Sequence, residues 1–354
     1  MQKVNKIYAV QKRQLKGVLR LINIYLSSMK NICILVPENS VMQAVADPQY
    51  LFTTVNNVLI SSGKKPFFNV QLVGAKKEVK INDGQFSIRT DKLLKDIIKT
   101  DLIFIPALFG DMQTAISKNK VLLPWIIEQY KKGAEIASLC VGAFLLASTG
   151  LLNGKKCSTH WGFQNEFRQM FPDVEVVDGS IITEEDRLYS SGGANSYWSL
   201  LLHIVEKYTD RETAILVSKY FAVDIDRDSQ AAFAIFTGQK NHADNDIKKA
   251  QLFIETNIAE KISVDELADM TAIGRRSFER RFKMATNNSV QQYIHRVKME
   301  GAKRSFENSR KNINEVMFDV GYTDTKSFRT MFKKITGLTP VEYRNKYNKQ
   351  SVAG

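Results

Sequence analysis

The sequence predicts two folded parts. The first is an α/β three-layer sandwich with a mostly parallel sheet, and the second is an all-α part made of two helix-turn-helix units. Three observations carry this. Between residues 29 and 220, short continuous apolar runs alternate with stretches of helical spacing. In the last hundred residues a motif recurs fifty positions on. Charge is also divided unevenly. Residues 31–242 hold 22 basic and 23 acidic side chains, whereas residues 243–354 hold 21 basic and 14 acidic. A chain of 354 residues is too long for one ordinary domain.

Residues 1–30 carry seven Lys or Arg and no acid. Residues 1–28 are expected to form a basic extension, disordered or helical. Their apolar stretch is broken by Arg20 and Asn23 and is followed by no small-residue cleavage site, so it does not read as a signal peptide. Met29 precedes the first clear strand and is a candidate start. No apolar run approaches the roughly 20 residues that span a bilayer.

The runs "NICILVP" (31–37), "FFNVQLVG" (67–74), "TDLIFIPAL" (100–108) and "AEIASLC" (134–140) suit buried parallel strands. "PQYLFTTVNNVLISSG", "TDKLLKDIIK" and "NKVLLPWIIEQYKKG" between them read as helices. "VEVVDGSIITEEDRLYSSGG" reads as a hairpin and "SYWSLLLHIVEKY" as a largely buried helix. His203 on that helix is expected in the core, and Trp161 and Trp198 either line the pocket or fill the core, with the core favoured. Cys33 and Cys157 read as packing residues within strands.

Cys140 stands where a buried strand turns into a helix. A helix N-terminus lowers a thiol's pKa, and Gly142 lets backbones approach closely, so the turn has the geometry of a nucleophile elbow in principle. His160 is the nearby candidate base. Three cysteines without paired spacing argue against a disulfide framework, and four scattered histidines argue against a structural zinc site. No metal or cofactor is expected, and the cysteine usage suits a reducing cytoplasm.

"SLCVGAFLLASTGLLNGKKCSTHW" and "YSSGGANSYWSLLLHIVEKY" resemble the class I glutamine amidotransferase-like superfamily, in its PfpI branch, over residues 29–220. The resemblance implies that Cys140 occupies the nucleophile position and that His160 lines the same pocket. Two departures stand out. Val141 occupies the place where active members carry histidine, and the acid nearest the first strand is Glu38. The pocket is therefore read as vestigial or ligand-binding, with a packed turn residue and a working nucleophile as the alternatives.

The repeat pairs "SFERRFKMAT" (277–286) with "SFRTMFKKIT" (327–336), and "SVDELADM" with "NINEVMFDV" upstream. Each copy reads as a short helix, a tight turn and a second amphipathic helix. Ser263 with Glu266 predicts a capping box, Ala272 and Gly321 the turns, and Asn312 and Asp324 or Thr323 further caps. Phe278 and Phe282 face inward in the first copy, as do Phe328 and Phe332 in the second. "SVQQYIHRVKMEGAKRSF" (289–306) reads as one connecting helix, in which Gly301 implies a close helix contact.

The outward faces of the two second helices carry Arg275, Arg276, Glu279, Arg280 and Lys283, and Thr325, Lys326, Arg329, Thr330 and Lys333. Arginine can bond guanine O6 and N7 in the major groove, glutamate can accept from cytosine N4, and lysines suit phosphates. Two such helices about 34 Å apart would enter successive major grooves. Residues 245–347 resemble the AraC-type DNA-binding domain through "VDELADMTAIGRRSFERRFK", "YIHRVKMEGAK" and "INEVMFDVGYTDTKSFRTMFKKITGLTPVEYR".

The order and lengths of the two parts are similar to GlxA-type transcriptional regulators. That resemblance implies a sequence-specific regulator that binds double-stranded DNA, acts in the cytoplasm as a homodimer without a membrane, and responds to a small-molecule effector. The expected boundaries are 29–220 for sensing or dimerisation, 221–244 for a linker, 245–347 for DNA binding and 348–354 for a tail. The rival expectation is a cysteine-dependent hydrolase or glyoxalase-like enzyme with a DNA-binding appendage.

Overall fold

Buried β-branched and aromatic residues build the sheet of the first part. The computed structural model describes residues 29–82, 84–225 and 229–348. The basic extension 1–28 and tail residues 349–354 lie outside the described residues. The chain divides into two compact units, the second starting at Ser229.

The strands of the first unit are β1 (Lys30–Leu35), β2 (Phe68–Gly74), β3 (Glu78–Ile81), β4 (Phe86–Arg89), β5 (Lys92–Leu93), β6 (Leu102–Ile105), β7 (Glu135–Ser138), β8 (Lys156–Cys157), β9 (Glu175–Val176), β10 (Ile182–Glu185) and β11 (Leu188–Ser191). Its helices are α1 (Met42–Ser61), α2 (Met112–Lys118), α3 (Leu123–Lys131), α4 (Ala143–Ala147), α5 (Gln164–Met170), α6 (Tyr197–Tyr208) and α7 (Arg211–Phe221). Seven strands form one sheet in the order β10–β11–β7–β6–β1–β2–β5. All of its pairs are parallel except β10–β11. Ile34 pairs with Leu72 on one side and Phe104 on the other, and the three side chains are at most partly exposed, as a sheet flanked by helices requires.

Some readings of this unit change. The stretch "TDKLLKDIIK" is not an α-helix. Leu72 donates its backbone N–H to the Asp91 carboxylate at 2.8 Å, and Lys92–Leu93 then pairs with the open edge at Val73–Gly74. The expected hairpin within 174–193 forms from β10 and β11, joined at Asp186 and Arg187, both at positive φ, while the leading residues pair as β9 with β8. His203 is not a core residue. It is half-buried at the surface of α6, and its Nε2 meets the Glu184 carboxylate at 3.0 Å. Trp161 and Trp198 are half-buried rather than sealed in the core.

The second unit contains α8 (Asn245–Thr256), α9 (Val264–Met270), α10 (Arg275–Thr286), α11 (Val290–Asn308), α12 (Ile313–Asp319), α13 (Thr325–Thr336) and α14 (Pro340–Tyr347). The caps form as the repeat predicts. Ser263 and Glu266 bond reciprocally at 3.1 and 3.4 Å. The Asn312 side chain accepts from the Glu315 N–H at 3.0 Å, and Asp324 accepts from the Ser327 N–H at 2.7 Å. Ala272 and Gly321 take positive φ in the two turns. One core gathers Phe278, Phe282 and Tyr293, and a second gathers Phe306, Phe328, Phe332 and Tyr343. Helix α11 lends side chains to both. A Cβ on Gly301 would lie 3.0 Å from Ile258 Cδ1, which accounts for glycine inside that helix.

Most of the segment read as a linker is part of the second unit. Residues 229–240 run as a strap over its helices. Lys303 donates to the Ala234 carbonyl at 2.6 Å and to Glu300 at 2.7 Å, and Glu300 accepts the Phe236 N–H at 3.1 Å. Gly238 lies under Tyr293, whose hydroxyl oxygen would be 2.3 Å from a Cβ there. At the other end of the strap, Tyr347 donates to the Ala232 carbonyl at 3.3 Å.

Candidate nucleic-acid interface and cysteine turn

The two amphipathic helices of the repeat bury the same positions and expose the same positions. On α10, Phe278, Phe282 and Thr286 face the core while Arg275, Arg276, Glu279, Arg280 and Lys283 are exposed. On α13, Phe328, Phe332 and Thr336 face the core, Lys326, Arg329, Thr330 and Lys333 are exposed, and Thr325 is half-buried. With Ser277 aligned to Ser327, Arg276 corresponds to Lys326, Glu279 to Arg329, Arg280 to Thr330 and Lys283 to Lys333.

The side chains on these faces are not equally available. Arg276 and Arg329 make no hydrogen bond or ion pair among the described residues. Lys283 donates to the Asn287 carbonyl at 2.8 Å and so caps its own helix. Arg275 Nη1 reaches both oxygens of Asp265 at 3.1 and 2.9 Å, and its Nε stands 3.6 Å from Glu279. Arg281, on the far flank of α10, bonds Asp244 at 2.6 and 2.8 Å and Asp246 at 3.0 Å. Its guanidinium holds the Asp244 carboxyl below the usual carboxylate range.

Sequence reasoning missed Lys298, which sets how the two helix-turn-helix units are held. Its ammonium lies within the second unit and donates to the carbonyls of Ile258 at 2.7 Å, Glu260 at 2.9 Å and Val320 at 2.9 Å. The first two acceptors follow α8 and the third closes α12. Burial lowers the Lys298 pKa. A lysine on the connecting helix carries no signal of this in sequence, because its three acceptors are distant backbone carbonyls.

In the first unit the Cys140 turn takes the elbow shape. Cys140 has φ +54°, its N–H donates to Ser191 Oγ at 3.1 Å, and its carbonyl accepts from Thr159 Oγ1 at 3.2 Å. A Cβ on Gly142 would lie 2.5 Å from the Ile105 carbonyl oxygen and 2.6 Å from that of Pro106, so only glycine fits. The expected lowering of the thiol pKa does not occur. Burial pushes Cys140 up to about 12, outweighing the opposing hydrogen bond from Val141, and the helix that follows has only five residues.

The expected base does not engage the cysteine. Among the described residues no hydrogen bond joins His160 to Cys140. His160 Nδ1 instead accepts from the Gly162 N–H at 3.0 Å, and burial lowers its pKa. Glu38 pairs with Lys76 at 2.6 Å. A further polar cluster of this unit is one the sequence reading did not single out. Asp47 on α1 accepts from Tyr197 Oη at 2.6 Å and from Trp198 Nε1 at 3.0 Å. A cavity of about 280 Å³ beyond this pair is lined by Gln43, Asn195, Trp198, Ser199, Ala222, Val223 and Asp224, and does not reach Cys140. Among the described residues no cluster of three or more His, Cys, Asp or Glu could hold a metal ion, and no helix is long and apolar enough to cross a membrane.

The DJ-1/PfpI family model matches residues 57–207, and the model described as a helix-turn-helix domain matches residues 267–346. Neither match covers half of the chain: residues 57–207 are similar to the DJ-1/PfpI family and residues 267–346 to a helix-turn-helix domain. The HTH-type transcriptional regulator ArgR of Pseudomonas aeruginosa is 28% identical over 61% of this chain and 65% of its own length. The HTH-type transcriptional regulator GbdR of the same organism is 26% identical over 66% of this chain and 63% of its own length. The chain thus spans just under two thirds of these relatives. An AraC family transcriptional regulator of solved structure from Pseudomonas putida is 17% identical, with a TM-score of 0.47 over 54% of this chain and 99% of that one. Over the helix-turn-helix match, exposed cations line α10 and α13. In the DJ-1/PfpI domain the elbow holds a neutral thiol.

Proposed function

We propose that this chain is a sequence-specific transcription regulator that binds double-stranded DNA through α10 and α13 and acts in the cytoplasm. One observation carries the reading: equivalent faces of a duplicated unit expose Arg276, Glu279 and Arg280 on one helix and Lys326, Arg329 and Thr330 on the other, opposite buried phenylalanine pairs. Those side chains supply base-reading groups, and Lys283 and Lys333 supply phosphate contacts. Arg275 and Thr325 sit at the starts of the helices. The names of the relatives agree with this reading. Selection of bound sequences from random duplexes by the full chain tests it. One short preferred sequence, held at moderate salt, is the expected result, and binding without sequence preference counts against it.

The DJ-1/PfpI domain is proposed to act without turnover, as a homodimerising and effector-binding part. The neutral, buried Cys140 supports this over hydrolysis. The effector is proposed to bind either at the Cys140–His160 turn or in the cavity at Trp198. Calorimetry on Cys140→Ala and Trp198→Ala separates the two. Hydrolase or glyoxalase-type turnover lost in Cys140→Ala would favour the enzyme reading.

A further inference from the structure

The repeat makes the two reading helices equivalent in backbone, yet the corner each presents to its preceding helix differs in charge. In the first copy of the repeat Arg275 is folded back between Asp265, on the preceding helix, and Glu279, one turn further along α10. One cation between two carboxylates leaves that corner one charge negative. The corresponding residues in the second copy are Thr325, Asn314 and Arg329, which leave it one charge positive. Both corners lie on exposed faces.

A carboxylate on a DNA-facing surface repels every phosphate it passes. It is tolerated where it accepts a hydrogen bond from a base edge, and in the major groove cytosine N4 is the donor glutamate fits. Asp265, the partner that turns Arg275 away, is a neutral asparagine in the second copy, so the tether belongs to the head that carries the glutamate. An ion pair this exposed adds little to stability, which leaves orientation as its effect.

We propose that Glu279 is the base-discriminating residue of the first reading helix, selecting a cytosine, and that Arg275 is a positioning residue that holds it through the bridge to Asp265. The second helix replaces this acceptor with the donor Arg329, so one chain reads two unlike half-sites in a fixed order. This inference rests on the regulator reading above.

The test uses the full chain. Its preferred duplex is selected first. Binding to that duplex, to its single-base variants and to an unrelated duplex is then measured at several salt concentrations. Glu279→Gln should move the preference at one position from cytosine toward adenine, lose about five- to a hundredfold in discrimination there, and tighten binding to the unrelated duplex. Arg275→Ala should blunt discrimination at the same position while the salt slope stays that of the parent chain. Arg275→Lys, which can still reach Asp265, should restore part of it. Melting temperatures of the variants report folding. An unchanged base profile in Glu279→Gln overturns the proposal. So does a salt slope that falls by about one in Arg275→Ala with the profile intact, because Arg275 would then be a phosphate contact. If the parent chain selects no sequence at all, the regulator reading itself fails.

Discussion

The Lys298 ammonium donates to the Val320 carbonyl at 2.9 Å, and a Cβ on the next residue, Gly321, would lie 2.6 Å from the same nitrogen. With its other two protons on Ile258 and Glu260, this lysine ties the end of the first helix of the second repeat to the loop that opens the first repeat. Lys298→Met would leave three carbonyls without their donor. The Val320 carbonyl is buried and the other two only partly; a buried unpaired acceptor costs about 1–3 kcal/mol, so a loss of that order is expected in urea unfolding. Lys298→Arg should not restore it, because a planar guanidinium does not fit an ammonium's three converging acceptors.

Gly321→Ala attacks the same junction from the other side. The new methyl would meet the Ala259 carbonyl oxygen at 2.3 Å, and φ is +70°. A loss of about 2–4 kcal/mol is expected, read as a fall in the melting temperature of the second unit.

On the reading faces, Arg276→Ala and Arg280→Ala should each cost about 1–3 kcal/mol of affinity for the selected duplex and relax one base preference. Titration of labelled duplex by each variant checks this. Unchanged binding by both would remove α10 from the interface.

The buried thiols predict an alkaline limb in stability. Burial raises Cys33 to about 11 and Cys140 and Cys157 to about 12, each from 9. A raised folded-state pKa contributes stability that is present below about pH 9 and is lost as pH rises toward 12. Buried tyrosines such as Tyr208 act in the same direction. The comparison is therefore with Cys157→Ala, whose unfolding free energy should fall less steeply over that window.

Cys140 itself should be slow to alkylate in the native protein. With a pKa of about 12, only about one thiol in ten thousand is ionised at pH 8. Iodoacetamide labelling followed by mass spectrometry should show little modification until the chain is unfolded. Rapid native labelling of this cysteine would point to an activated nucleophile.

Much of the fold can be read locally. The capping residues Ser263 and Asn312 and the spacing of the inward phenylalanine pairs act within a few positions of themselves, so spacing alone reveals them. What escaped the sequence depends on distant partners. Lys92–Leu93 is a strand because an open edge waits at Val73–Gly74. His203 faces outward because Glu184, nineteen residues away, holds it there. The same holds at the interface, where the exposed face of α10 is legible but the capture of Arg275 by Asp265 is not. At the cysteine turn the elbow is legible. The raised pKa is not, because it depends on how completely the surrounding elements exclude water.

The strap over residues 229–240 bears on where this protein can be cut. A fragment starting at 245, where the sequence places the DNA-binding boundary, would strip Glu300 and Lys303 of their backbone partners and uncover the ring-lined floor at Tyr293. The smallest autonomous helix-turn-helix piece therefore begins no later than Ser229, and excision sixteen residues downstream should yield an unstable, aggregation-prone product.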